Sequence, residues 1–272
     1  FAAAPSSAVV SALIFGFAWG FGAICFGLSV DRLGVSIANS LIIGLSSALG
    51  SLVPLLISGA FRLDGKQVVL LIGIATFLLG VWLCGQAGRL RDAGAGAVPG
   101  GMPSGYLFAL CSGIMSAVFN IGYTLALPIA STGVKLGHSL FASTNCIWLL
   151  MLGAGSIPNI AYCLFLMFRN RTTGLMLSSN TGWSWIRSIG MGLLWGGSIF
   201  LYGAATPRLG DIGPSIGWPL SLAVGLLVAN LMGVLLGEWR EVSRPAARRM
   251  NFGVLTLLIA IVICALATKV SL

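Results

Sequence analysis

Apolar residues in this chain come in long unbroken runs. Stretches such as Val68-Val69-Leu70-Leu71-Ile72 and Leu255 to Ala265 lack the two-residue alternation of a half-buried or barrel strand. Charged side chains gather between the runs and leave eight stretches with none: residues 1–30, 33–61, 67–88, 93–134, 136–168, 188–207, 212–237 and 250–268. Each holds about 20 residues or more, the length at which an α-helix crosses a ~30 Å hydrocarbon layer. The pattern predicts an all-α, polytopic membrane protein with eight transmembrane helices, here called spans a to h.

Composition narrows the function classes. With 57% hydrophobic and only 8% charged residues, the chain is too apolar for a soluble enzyme, a nucleic-acid binder or a secreted disulfide scaffold. The net charge of +9 reports topology, because the basic residues are spread over the connections and form no patch for nucleic acid. Connections ab, cd, ef and gh hold Arg32, Arg89, Arg91, Arg169, Arg171, Arg187, Arg240, Arg244, Arg248 and Arg249, ten against five on the other side (Arg62, Lys66, Lys135, Arg208, Lys269). The richer side is expected to be cytoplasmic, with both ends of the chain facing outward. The six cysteines all fall inside spans without C-x-x-C spacing, so they read as small apolar side chains rather than metal or redox sites. The N-terminus has no Met and no basic segment before its first apolar run, and reads as a cut end rather than a signal peptide.

Sliding the chain against itself by 176 residues reveals a repeat. Gly16, Trp19, Gly20, Gly27, Arg32, Leu33 and Gly34 fall on Gly192, Trp195, Gly196, Gly203, Arg208, Leu209 and Gly210, seven identities in nineteen positions without a gap. Span a thus corresponds to span f. They are five spans apart, an odd number, so the copies are expected to cross the membrane in opposite directions, as in the inverted repeats of secondary transporters. On this reading residues 1–92 hold the last three helices of a first five-helix repeat and residues 93–272 a complete second one. The parent fold then has ten helices in a 5+5 arrangement, of which this chain lacks the first two. The matched Gly-x-x-x-Gly pairs let a neighbouring backbone approach closely.

The stretch Trp19-Gly20-Phe21-Gly22-Ala23-Ile24-Cys25-Phe26-Gly27-Leu28, followed by Leu33-Gly34, resembles the third-helix signature of the L-rhamnose-proton symporters of the drug/metabolite transporter superfamily. Gly113 to Ala117, Gly155 to Cys163, Gly192 to Trp195, Ile216-Gly217-Trp218 and Gly233 to Trp239 extend the resemblance in order over nearly the whole chain. The resemblance implies a ten-helix, multi-pass carrier of the cell (inner) membrane that takes up a neutral deoxyhexose, L-rhamnose or a similar sugar, by proton symport. It implies no cofactor. Its partners are the small-molecule sugar, the co-transported proton and the lipid bilayer. The superfamily leaves open a carrier for another small metabolite, or a sodium-coupled or uncoupled sugar carrier.

A deoxyhexose offers hydroxyls and an apolar face, so its site calls for amide or hydroxyl side chains beside aromatic rings in an apolar cavity. The candidates are Trp19, Asn120, Tyr123, Asn159, Tyr162, Trp195, Tyr202 and Trp218. Asn120 and Asn159 read equally as substrate contacts or as interhelical hydrogen bonds, and Trp19 and Trp195 as stacking platforms or packing wedges. Trp218 stands between Pro214 and Pro219, where span g is expected to kink or start late. Trp82, Trp183, Trp185 and Trp239 read as interface-belt aromatics near span ends. For proton coupling only His138 and Glu238 present themselves, because all six carboxylates lie outside the charge-free stretches; a solvated loop histidine and a helix-end ion pair are the plainer readings. Arg32 with Gly34 and Arg208 with Gly210 read as structural corners.

An intramembrane enzyme is the rival from another class. A rhomboid-type protease needs Gly-x-Ser-Gly, and Ser58-Gly59, Ser104-Gly105 and Ser112-Gly113 lack the preceding Gly; one histidine and no intramembrane acid leave no metal site. A channel or structural scaffold would not require a duplication with matched Trp and Arg.

Overall fold

A computed structural model describes residues 2–57, 64–94, 103–178, 181–210 and 212–267. Arg62, Lys269, Asp211 and the Ser58-Gly59 pair lie outside the described residues. Among those described, every regular element is helical: α1 (Ser6–Leu33), α2 (Val35–Ile57), α3 (Gly65–Gly94), α4 (Pro103–Lys135), α5 (Leu140–Arg169), α6 (Gly182–Ala205), α7 (Gly213–Leu235) and α8 (Arg244–Ala267), with short 3-10 turns at Thr173–Leu177 and Thr206–Leu209. All eight α-helices are long and apolar enough to cross a membrane. At 23 to 33 residues they measure about 35 to 50 Å, so several project beyond the hydrocarbon layer.

The helix ends are marked by local chemistry. Asp64 caps α3 by accepting from the Gln67 N–H at 2.8 Å, and Ser139 caps α5 by accepting from Ala142 at 3.2 Å. Span g does not start late: α7 begins at Gly213 and places Pro214 in its first turn, where the missing N–H would have no intrahelical partner anyway. Trp82 falls in the middle of α3 rather than near its end, because the helix continues to Gly94. The corners after α1 and α6 share a backbone solution, with Gly34 at φ +77° and Gly210 at φ +81°, a region that a Cβ makes costly. Ser6–Leu33 and Gly182–Leu209, the two spans they end, are both 28 residues long and lie 176 positions apart.

Lipid is as apolar as Leu, so helix association depends on close packing and hydrogen bonds rather than on hydrophobic burial. Glycines supply the close approach. A side chain on Gly16 or Gly20 would strike the backbone of Met151 or Gly155 in α5, and one on Gly73 or Gly80 would strike Cys264 or Leu257 in α8. Leu55, Leu70, Ile212 and Ala267 form one apolar cluster, which gathers the end of α2, the starts of α3 and α7 and the end of α8 at one face of the bundle. At the opposite face the Ser36 hydroxyl donates to Asp92 and Arg91 pairs with Glu238. Leu209 packs on the first cluster, whereas α1 ends beside Ser36, so α1 and α6 run in opposite directions. Most of α6 is open: only Tyr202 and Gly203 are buried in it, and Leu193 and Leu194 are 71% and 79% exposed.

Candidate functional site

Polar chemistry concentrates inside the bundle where α1, α2, α4, α5, α6 and α7 meet, reaching the last turn of α6 and the first turn of α7. Two prolines prepare it. Pro54 in α2 and Pro207 after α6 have no N–H, so the carbonyls four residues earlier, Gly50 and Gly203, lack their normal helical partner. Both are answered by α4. The Asn120 amide donates to the Gly50 carbonyl at 2.8 Å and to the Pro214 carbonyl at 3.1 Å, while the Tyr123 hydroxyl donates to the Gly203 carbonyl at 3.0 Å. Tyr202 donates in turn to the Asn120 side-chain oxygen at 2.5 Å. Asn120 and Tyr123 sit three residues apart on one face of α4 and are fully buried, so a single helix face ties α2, α6 and α7 together.

Aromatic rings surround this brace. Tyr123 stacks on Trp148 of α5, centroids 4.5 Å apart and planes 3° apart, and Phe119 leans on the same indole at 5.0 Å. Trp218 meets Tyr202 edge-on at 5.5 Å, and its indole N–H donates to the Ser46 carbonyl and hydroxyl. Gly50 makes room for that ring, since a Cβ there would collide with Trp218. The repeat-matched tryptophans touch: Trp19 and Trp195 stack at 5.4 Å with planes 8° apart, and Trp19 also stacks on Phe119 at 4.6 Å. Among the described residues this cluster holds amides, hydroxyls and indoles and no Asp, Glu, Lys, Arg or His, a set suited to a neutral polar solute with an apolar face.

Six of the eight sugar-site candidates thus come together: Trp19, Asn120, Tyr123, Trp195, Tyr202 and Trp218. Asn159 stands apart. It is half-buried and donates to the Gly155 carbonyl of its own helix at 2.8 Å, one turn from where Gly155 abuts Trp19. Tyr162 lies farther along α5 against Phe165. His138 is exposed in the α4–α5 turn, where it lines a cavity of about 190 Å³ with Thr132, Ser143 and Cys146. Glu238 sits at the opposite face, 2.7 Å from Arg91, whose guanidinium lies over Trp239. The corner arginines differ: Arg32 packs over the Phe108 ring at 4.6 Å, whereas Arg208 is exposed.

Trp148 and Phe119 escaped the sequence reading. Trp148, Met151, Gly155 and Pro158 recur at helical spacing, and the last two fall in a stretch already singled out, so the signal for a shared inward face was present. The repeated Gly-x-x-x-Pro of Gly50/Pro54 and Gly203/Pro207 was the other unused signal.

Comparison with known proteins identifies the family. An L-rhamnose-proton symporter of Citrobacter koseri is 25% identical over 266 residues, 93% of this chain and 77% of that protein. One from Escherichia coli strain K12 / DH10B is 26% identical over 259 residues, 91% of this chain and 75% of that protein. No solved structure matches the chain. The model of one family, described as the L-rhamnose-proton symport protein (RhaT), aligns with residues 2–270, and it is to this family of multi-pass membrane proteins that the chain belongs.

Proposed function

We propose that the protein is a secondary carrier of the inner membrane that imports L-rhamnose, or a closely related neutral deoxyhexose, together with a proton. The observation that carries this reading is the buried cluster in which aromatic faces and neutral hydrogen-bonding groups from six helices converge in a chain of the rhamnose symport family. In the arrangement described, Asn120 and Tyr202 satisfy each other. Sugar hydroxyls take over these bonds when the helices part, because each hydroxyl both donates and accepts. The Trp19–Trp195 stack provides the apolar platform between α1 and α6.

Alternating access follows from the repeat. Residues 1–92 belong to one five-helix repeat and residues 93–272 form the other, and the site opens to each side in turn as they rock. Three features support the pairing: equal span lengths at a constant offset, the shared positive φ at Gly34 and Gly210, and the opposed directions of α1 and α6. The ten basic residues of the alternate connections place the Arg91–Glu238 face in the cytoplasm. Glu238 there is paired with Arg91, which leaves His138, at the edge of the outer cavity, as the candidate to test for handling the proton.

Counterflow in proteoliposomes tests the carrier reading. Vesicles preloaded with unlabelled L-rhamnose are expected to accumulate labelled L-rhamnose transiently above the outside level. A simple monotonic approach to equilibrium would indicate a channel.

A further inference from the structure

Among the described residues of this buried cluster, the fully enclosed amide, phenol and indole groups are paired with one exception. Asn120, Tyr123, Tyr202 and Trp218 all have hydrogen-bond partners, but the indole N–H of Trp148 is buried without an acceptor. The residue is fully enclosed. A hydrogen-bond donor in such a place is disfavoured unless something answers it, and on the same helix the Ser143 hydroxyl and the Asn145 side-chain oxygen are also buried without partners. The free edge of the indole faces Gly203: a Cβ on that glycine would collide with the Trp148 Nε1 atom. The carbonyl of the same glycine, without its usual helical partner because of Pro207, is answered by the Tyr123 hydroxyl. A donor and an acceptor therefore stand at one backbone position of α6, the helix with the least packing to hold it in place.

We propose that the Trp148 Nε1–H is the specificity-determining donor of the sugar site, taking the oxygen of one ring hydroxyl of the substrate while that hydroxyl donates toward the Gly203 carbonyl. One hydroxyl fits this seat because it accepts and donates at once, as neither an alkyl group nor an ether oxygen does. With no side chain, Gly203 lets the indole edge lie directly against the α6 backbone, so the seat forms as α6 moves away from α5, and the Tyr123 ring stacked on Trp148 holds the indole in plane. The assignment rests on the deoxyhexose reading above.

The test replaces Trp148 in the reconstituted full chain by 3-benzothienylalanine, which keeps the bicyclic ring and exchanges the N–H for sulfur. L-rhamnose and its monodeoxy analogues are titrated against the unmodified and substituted proteins, and sugar-free melting temperatures are compared. The expected result is a ten- to hundredfold loss of L-rhamnose affinity with the sugar-free melting temperature unchanged or raised. The substituted protein should also cease to distinguish L-rhamnose from the one analogue that lacks the contacted hydroxyl. Trp148→Phe, which removes the same donor with a smaller ring, should lose affinity to a similar extent. Undiminished affinity in the benzothienyl protein overturns the assignment, as does a lowered sugar-free melting temperature, which would mean that the donor has a protein partner. Failure of the unmodified protein to bind any deoxyhexose overturns the transport reading instead, and the assignment with it.

Discussion

Replacing Asn120 by Ala removes three hydrogen bonds together: those to the Gly50 and Pro214 carbonyls and the one accepted from Tyr202. Bonds between transmembrane helices average about 0.6 kcal/mol and reach about 1.7 at most, so the expected loss of stability is about 2 kcal/mol, bounded near 5. The Gly50 bond is separable from the others. Its carbonyl is unanswered within α2 only because Pro54 lacks an N–H, so Pro54→Ala restores a backbone partner and makes the Asn120 amide partly redundant. In a double-mutant cycle, Asn120→Ala should therefore cost about 1 kcal/mol less in a Pro54→Ala background than in the unmodified protein. The assay is reversible unfolding in mixed micelles, with helicity as the readout and sugar absent from every sample. Whatever Pro54→Ala does alone cancels in the cycle. Additivity within about 0.3 kcal/mol would refute the argument that Asn120 answers a carbonyl freed by proline.

Gly34→Ala and Gly210→Ala each force a Cβ into a backbone region suited to glycine and should cost about 1 to 3 kcal/mol of stability, with sugar affinity unchanged in titrations of the folded fraction. The repeat-matched glycines should respond unequally in this chain: Gly16→Ala drives a methyl into the Met151 backbone and lowers the yield of folded protein, whereas Gly192→Ala meets nothing within 4 Å and leaves melting unchanged. Glu238→Gln breaks an ion pair whose side chains are 25% and 50% exposed, so it should shift stability by at most about 1 kcal/mol and leave pH-driven uptake intact. His138→Gln should preserve counterflow and weaken uptake driven by a pH gradient, a split visible in parallel vesicle assays.

The span count was legible because charge positions are read along the chain. The facing of the helices was not. A helix apolar all round has no periodic signal to say which side turns inward, so Asn120 and Asn159 looked alike before the structure separated them: Asn120 bonds three other helices, whereas Asn159 bonds its own. Trp148 was missed although Thr144, one turn before it, and Met151, Gly155 and Pro158 after it share its face, because in a helix apolar all round that spacing does not by itself say which face turns inward. Pro214 misled in a different way. A proline pair reads as a break, but a proline in the first turn of α7 costs the helix nothing and moves its start earlier. Glu238 found its partner 147 residues away in Arg91 rather than in the adjacent Arg240, a pairing set by the packing of α3 against the α7–α8 connection.

The central claim is that a proton gradient moves the sugar through this protein. Proteoliposomes with a more acidic exterior should concentrate labelled L-rhamnose inside above the external level, and a protonophore should collapse the accumulated sugar to equilibrium. Since symport ties the two fluxes together, the sugar follows the protons whichever way the protein is inserted. Equilibration that ignores the pH gradient and the protonophore, in vesicles that still show counterflow, would contradict the account.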